Sequence, residues 1–154
     1  MISELNENTK ILDNKYIILE KKGHGATANV YKIQDKNTNN IYAAKVLKNH
    51  SEYFEKETQM LKLIKSPYIV NLIDCGNGKI LKNGKFSEDK QYIVLDYAEK
   101  GELFDYISLP KKGLGEKYGK VIFTKILKGV LSCHKAGICH RDLKMENILL
   151  DKEF

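Results

Sequence analysis

The sequence predicts an α+β fold in which an antiparallel sheet comes first and helices follow. Three observations predict it. From Tyr16 to Leu47 the apolar residues recur at strand spacing, interrupted by the turn-forming runs Gly23-His24-Gly25 and Asp35 to Asn40. Over residues 51–65 the period changes to that of a helix, with Phe54, Leu61 and Ile64 near one face. After Tyr97 the pattern turns predominantly helical, so the boundary between sheet-rich and helix-rich parts lies between Asp96 and Gly101.

Taken in order, residues 1–13 read as a polar leader, 14–97 as the sheet-rich part and 98–154 as the helix-rich part. Tyr16–Leu19, Ala28–Ile33 and Ile41–Leu47 are the first three strands. Ser51 is placed to cap the helix that follows, and Pro67 forbids its continuation. Ile69–Ile73 and Tyr92–Leu95 are two further strands, giving five in all, with a polar loop or small hairpin between Gly76 and Asp89. Gly101–Ile107 is a short helix. Lys117–Ala136 is a longer one, with Val121, Ile122, Ile126, Leu127, Val130 and Leu131 as its buried stripe and Gly137 as its stop.

Composition narrows the function classes. A chain of 154 residues with a charged fraction of 30% fits one globular domain. No apolar run approaches the roughly 18 residues of a membrane span, and the acidic, polar start is not a signal peptide, so no membrane role is expected. The net charge is +6, but the lysines are spread from Lys10 to Lys152, unlike the clustered patch of a nucleic-acid binder. Cys75, Cys133 and Cys139 form neither a disulfide framework nor a zinc pattern. The expected compartment is reducing: the cytoplasm, with the nucleus also open.

Four motifs carry chemistry. Gly23-His24-Gly25-Ala26-Thr27-Ala28-Asn29-Val30 is a glycine-rich hairpin in which Ala28 stands at the third glycine position. Glycines there let backbone N–H groups approach a polyphosphate. Because a strand follows, the hairpin is unlike a dinucleotide fingerprint, which leads into a helix. Lys45, within Ala43-Ala44-Lys45-Val46, is a lysine flanked by small and apolar residues on a strand. Glu57 is its natural partner on the helix; Glu52 and Glu55 are rivals, and the position four residues before Leu61 favours Glu57. Last comes His140-Arg141-Asp142-Leu143-Lys144-Met145-Glu146-Asn147, which contains the sole arginine among 26 basic residues.

In this order, with Asp96-Tyr97-Ala98 and Gly101-Glu102-Leu103-Phe104 between the third and last, these motifs strongly resemble the eukaryotic serine/threonine protein kinase family. The nearest flavour is that of calmodulin-dependent and AMP-activated kinases. The resemblance implies a kinase-like fold: a five-stranded N-lobe with one helix, then the hinge, first helices and catalytic loop of an incomplete C-lobe. It implies transfer of the ATP γ-phosphate to Ser/Thr hydroxyls of proteins, with Mg²⁺ as cofactor. Gly23, Gly25, Ala28 and Lys45 would meet the phosphates, and Lys45 would be paired with Glu57. Val30, Ala43 and Leu149 would contact adenine, Leu95 would be the gatekeeper, the backbone of Asp96 and Ala98 would bind the adenine edge, and Glu102 would meet the ribose. Asp142 would orient the substrate hydroxyl, Lys144 would stabilise the transferring phosphoryl, and Asn147 would bind the metal. His140 would be a packing residue, and Cys139 is expected to be small and buried.

The resemblance runs from about Tyr16 onward and covers the first half or so of a kinase domain. The Asp-Phe-Gly segment, with its further metal ligand, would begin a few residues past Phe154. Two alternatives therefore stand beside the enzyme: a non-catalytic module that binds a nucleotide or docks a partner on its open apolar face, and a gene-model fragment.

Overall fold

The computed structural model describes residues 9–108 and 114–153, so most of the expected polar leader, residues 1–8, lies outside the described residues. The chain divides into two compact units, Met1–Gln59 with Leu72–Tyr97, and Met60–Asn71 with Ala98–Phe154.

The first unit is built on β1 (Lys10–Leu12), β2 (Tyr16–His24), β3 (Ala28–Asp35), β4 (Ile41–Leu47), β5 (Leu72–Gly78), β6 (Ile80–Lys82), β7 (Lys85–Phe86) and β8 (Lys90–Asp96), with α1 (Phe54–Leu63) starting in it. The strands form one antiparallel sheet in the order β5-β8-β4-β3-β2-β1-β6-β7. Eight strands replace the expected five, and the additions have physical causes. Within the expected leader, Ile11 and Leu12 are buried, which fixes β1 against β2 even though three residues are too few to show a period. The Gly76–Asp89 loop contains the β6–β7 hairpin, closed by Asn83 and Gly84 at φ 51° and 70°. Two positive φ values in a row are the signature of the type I′ turn that matches strand twist.

β5 also differs: it was expected over 69–73. Its Asp74-Cys75-Gly76-Asn77-Gly78 segment has the composition of a turn, but pairing with β8 holds it extended. The glycine at position 78 is needed there, since a Cβ would fall 2.6 Å from that of Asp13. Only Lys79 separates β5, at one end of the sheet, from β6, which pairs with β1, so the sheet curls on itself. A polar knot fastens the curl. The Tyr16 hydroxyl donates to Asp74 Oδ2 and the Tyr92 hydroxyl to Asp13 Oδ2, both at 2.8 Å, while Lys15 lies 3.3 Å from each carboxylate. Burial, then these carboxylates, push both phenols far above their ordinary values and keep them neutral donors. The core inside the curl is Leu12, Tyr16, Ile33, Ala44, Val46, Tyr92 and Val94.

The second unit contains β9 (Gly101–Glu102), α2 (Leu103–Ser108), α3 (Gly115–Lys135), a 3₁₀ turn at Met145–Asn147 and β10 (Leu149–Leu150), which pairs with β9. α3 ends in a Schellman motif: Gly137 at φ 71° donates its N–H to the His134 carbonyl, and the Ile138 N–H donates to the Cys133 carbonyl. Its buried face is Ile122, Gly129 and Cys133, with Ile126 and Val130 half-buried. Val121, Leu127 and Leu131 of the expected stripe are instead 50–54% exposed. The buried face includes two small residues that a search for large apolar ones passes over. Gly129 is needed as glycine because a Cβ would fall 2.9 Å from the Tyr68 carbonyl oxygen. Around it, Ser132 Oγ donates to Ser66 Oγ at 3.0 Å, and the Lys128 ammonium lies 5.3 Å from the Tyr68 ring centroid.

Candidate active site

In the first unit, strand register gathers the residues singled out by sequence. Gly23 faces Val30, Val30 faces Lys45 and Lys45 faces Ile93, one row across β2, β3, β4 and β8. Ala43 faces Leu95 two residues along. Directly opposed residues, and residues two apart, share a face of a sheet. Ala28, Val30, Ala43, Lys45 and Leu95 therefore lie on one face, while Tyr31, Ala44, Val46, Tyr92 and Val94 point the other way, to the core. Gly25 closes the hairpin by donating its N–H to the Ala28 carbonyl at 2.9 Å.

α1 delivers an acid to this face: Lys45 Nζ lies 2.6 Å from Glu57 Oε1, with both side chains partly exposed. Glu52 and Glu55, the rivals, are exposed. What fixes Glu57 is the entry to the helix. Gln91, only 5% exposed, accepts the Ser51 N–H at 2.7 Å and donates to the Ser51 carbonyl, while Phe54 is buried one turn later. Ser51 Oγ accepts the Tyr53 N–H, supporting the turn ahead of α1. Sequence reasoning missed Gln91; its signal is a lone amide beside the apolar run Tyr92-Ile93-Val94-Leu95. Also unforeseen, His24 of the glycine hairpin lies 2.9 Å from Asn29 Oδ1 and 3.2 Å from Lys48 Nζ.

The second unit holds the other predicted residues. Glu102, facing Leu149 across β9 and β10, is exposed, and Leu149 is 43% exposed. Ala98 accepts the Gly101 N–H. The loop from His140 to Asn147 is organised about Asp142. Asn147 Nδ2 donates to both the backbone carbonyl and Oδ2 of Asp142, each at 2.8 Å, and Lys144 Nζ lies 3.3 Å from the same Oδ2. Oδ1 of Asp142 has no hydrogen bond among the described residues. Arg141 takes a φ of 64°, a conformation that costs a non-glycine residue roughly 1–3 kcal/mol and concentrates at functional sites. His140 and Cys139, expected to pack and to be buried, are both exposed; His140 Nδ1 accepts the Asp142 N–H.

The Asn147 amide, and next Lys144, hold the Asp142 carboxyl below the usual carboxylate range. A depressed value means the ion-pair contribution is complete above the ordinary carboxylate pKa and is lost as pH falls through the folded value. Replacing Asn147 with Ala removes the larger cause. The Asp142 titration then moves up toward the ordinary carboxylate range, and the acid loss begins at higher pH. Carboxyl-carbon NMR on the whole chain reads this directly, and Lys144→Ala should produce a smaller shift of the same sign.

With the glycine hairpin, the Lys–Glu pair and the loop carboxylate in place, the comparisons with known proteins become informative. The family model described as protein kinase domain matches residues 16–154. This chain belongs to the protein kinase family. A serine/threonine-protein kinase of Arabidopsis thaliana, AtPK2/AtPK19, is 37% identical over 142 residues, covering 87% of this chain and 28% of the relative. NUAK family SNF1-like kinase 1 of Mus musculus is 31% identical over 147 residues, 91% of this chain and 21% of the relative. CBL-interacting protein kinase 21 of Oryza sativa subsp. japonica is 37% identical over 128 residues, 83% and 22%. The chain thus spans between a fifth and three tenths of the length of these kinases. The family and the kinase-like α+β fold expected from sequence are those found, with the strand number corrected. No helix among the described residues is long and apolar enough to cross a membrane.

Proposed function

We propose that this kinase-family chain contributes to transfer of the ATP γ-phosphate to serine and threonine hydroxyls of proteins. The observation that carries the reading is the Lys45–Glu57 pair at 2.6 Å, set on the sheet face opposite the core and in register with Gly23 and Val30. An ammonium held by a carboxylate keeps its aim, which is what contact with the α- and β-phosphates requires. The backbone at Gly23, Gly25 and Ala28 would meet the phosphates. Val30, Ala43 and Leu149 would contact adenine, Leu95 would be the gatekeeper, the backbone of Asp96 and Ala98 would bind the adenine edge, and Glu102 would meet the ribose.

Asp142 orients the attacking hydroxyl and takes its proton. With Oδ2 engaged by Asn147 and Lys144, Oδ1 is the oxygen left for the substrate. Lys144, two residues on, steadies the charge of the phosphoryl in transit. Asn147 spends its amide N–H on Asp142 and keeps a carbonyl oxygen, a hard donor of the kind Mg²⁺ takes beside waters and phosphates. Asn147 is the metal donor we assign, from its place at the end of the His140–Asn147 motif. When bound, Mg²⁺ would neutralise charge on the phosphate oxygens.

We also read residues 14–97 as the N-lobe and residues 98–154 as the hinge with part of the C-lobe; the compact units follow this division except that Met60–Asn71 belongs to the second. The exposed i, i+4, i+8 stripe Phe123, Leu127 and Leu131 on α3 gives a protein partner a surface to cover. Three free thiols support a reducing, cytoplasmic setting.

Calorimetric titration with ATP tests the nucleotide reading. The unaltered chain should bind, and Lys45→Met should bind at least about tenfold more weakly, the loss of one charge-assisted contact of roughly 1.5–3 kcal/mol. Equal affinity in the two proteins sinks the assignment of Lys45.

A further inference from the structure

A second concave site lies wholly within the first unit, away from the Lys45 face. It is a pocket of about 520 Å³ lined by Lys10 of β1, Ile18 of β2, Tyr31 of β3 and the β6–β7 hairpin from Ile80 to Ser87. Its floor is apolar, because Ile18, Tyr31 and Ile80 are the partly buried residues flanking the core cluster; the pocket opens where the core reaches the surface. Phe86 stands at the wall, 69% exposed, on the outermost strand of the sheet. Around this floor the charge has one sign. Lys10, Lys82 and Lys85 line the pocket, no acidic residue does, and none of the three lysines is ion-paired among the described residues.

Elsewhere in the unit several lysines are neutralised: Lys15, Lys22, Lys45 and Lys90 each have a carboxylate within 4.0 Å. The hairpin bearing two of the cations is fixed rather than loose. The type I′ turn at Asn83-Gly84 sets its register, and Ser87 closes its base: its N–H donates to the Ile80 carbonyl and its Oγ accepts the Ile80 N–H, both at 2.9 Å. A volume of this size lies within the range that ordinary binding sites occupy, roughly 300–1,000 Å³.

We propose that this pocket docks an acidic peptide segment of a partner protein, which inserts one apolar side chain onto Ile18, Tyr31 and Ile80 while its carboxylates meet Lys10, Lys82 and Lys85. Charge complementarity selects the acidic partner, and the apolar floor selects a peptide over a bare anion. The aliphatic Ile18 and Ile80 also favour an inserted side chain over a stacked base, which would need a flat aromatic platform. The site goes beyond phosphotransfer: it would bring a substrate or regulator to the chain through residues that are not part of the catalytic loop.

The test uses the full chain and a fluorescein-labelled, glutamate-rich peptide with a single central phenylalanine and no serine or threonine. Fluorescence anisotropy should show saturable binding that weakens with added salt. Lys82→Glu combined with Lys85→Glu should weaken it at least about tenfold, and replacing the peptide's phenylalanine by alanine should weaken it as well. Because both lysines are exposed on the hairpin, the double variant should keep its thermal midpoint, which is measured alongside. Phe86→Ala gives an independent, uncharged route to the same loss. Four results would overturn the proposal: no binding at millimolar peptide, binding indifferent to both sets of substitutions, binding indifferent to loss of the phenylalanine, or equal lysine-dependent binding of oligothymidylate, which would mark a general anion surface.

Discussion

Asp142→Asn should lower the rate of phosphotransfer by about 10²-fold or more while leaving ATP affinity within roughly twofold. The asymmetry follows from where the residue acts. The nucleotide-phosphate contacts are assigned to Gly23, Gly25, Ala28 and Lys45, whereas Asp142 is assigned to the substrate hydroxyl. The amide is nearly isosteric and still offers an oxygen to the Asn147 N–H, so the loop should keep its shape; what disappears is the carboxylate proposed to receive the hydroxyl proton and the charge facing Lys144 at 3.3 Å. Rate and affinity measured side by side, by phosphate incorporation and by calorimetry, separate this from misfolding, which would remove both. A variant that transferred phosphate as fast as the unaltered chain would remove Asp142 from the chemistry.

The largest expected effect on stability comes from Gly129→Val. The added Cβ would fall 2.9 Å from the Tyr68 carbonyl oxygen, a backbone atom that cannot rotate away. Helix propensity pulls the other way, since glycine in a helix interior costs roughly 1 kcal/mol relative to alanine, but valine recovers only part of that. Overpacking of this kind costs about 1–3 kcal/mol, and the branched side chain should put valine at the upper end, near 3 kcal/mol. For a chain of this length that is a fall of about 6–12 °C in Tm. Gly129→Ala should lie between, because its helix gain offsets part of the clash. Thermal unfolding of the three proteins gives the ranking, and a valine variant as stable as the original would contradict the tight approach of α3 to the 66–68 segment.

Much of the candidate site was legible because its signals are contiguous. A glycine hairpin, a lysine between small residues and an eight-residue polar loop each appear in one stretch of chain, and strand register then puts Gly23, Val30 and Lys45 in one row. What escaped was whatever depends on distant partners. Gln91 meets Ser51 across 40 positions, and although a lone amide beside an apolar run marks Gln91, nothing near either residue names its partner. β1 is held by the burial of Ile11 and Leu12 and by pairing on both sides, not by a period of its own. β5 is extended by β8 against a turn-like composition. On α3 the large apolar residues misled: the packed face runs through Gly129 and Cys133, while Leu127 and Leu131 look outward. His140 and Cys139 were expected to be inside and are not, since their environment is set by the fold of the loop and not by their own chemistry.

The most direct test of the proposed activity identifies the amino acid that carries any transferred phosphate. Lys144, two residues after Asp142 and 3.3 Å from its carboxylate, is the loop residue behind the serine/threonine reading. The chain is incubated with γ-labelled ATP, magnesium and a mixed protein substrate, and the labelled amino acids are separated after acid hydrolysis. The account predicts phosphoserine and phosphothreonine, both abolished by Asp142→Asn; phosphotyrosine, or no incorporation by a chain that binds ATP, would contradict it.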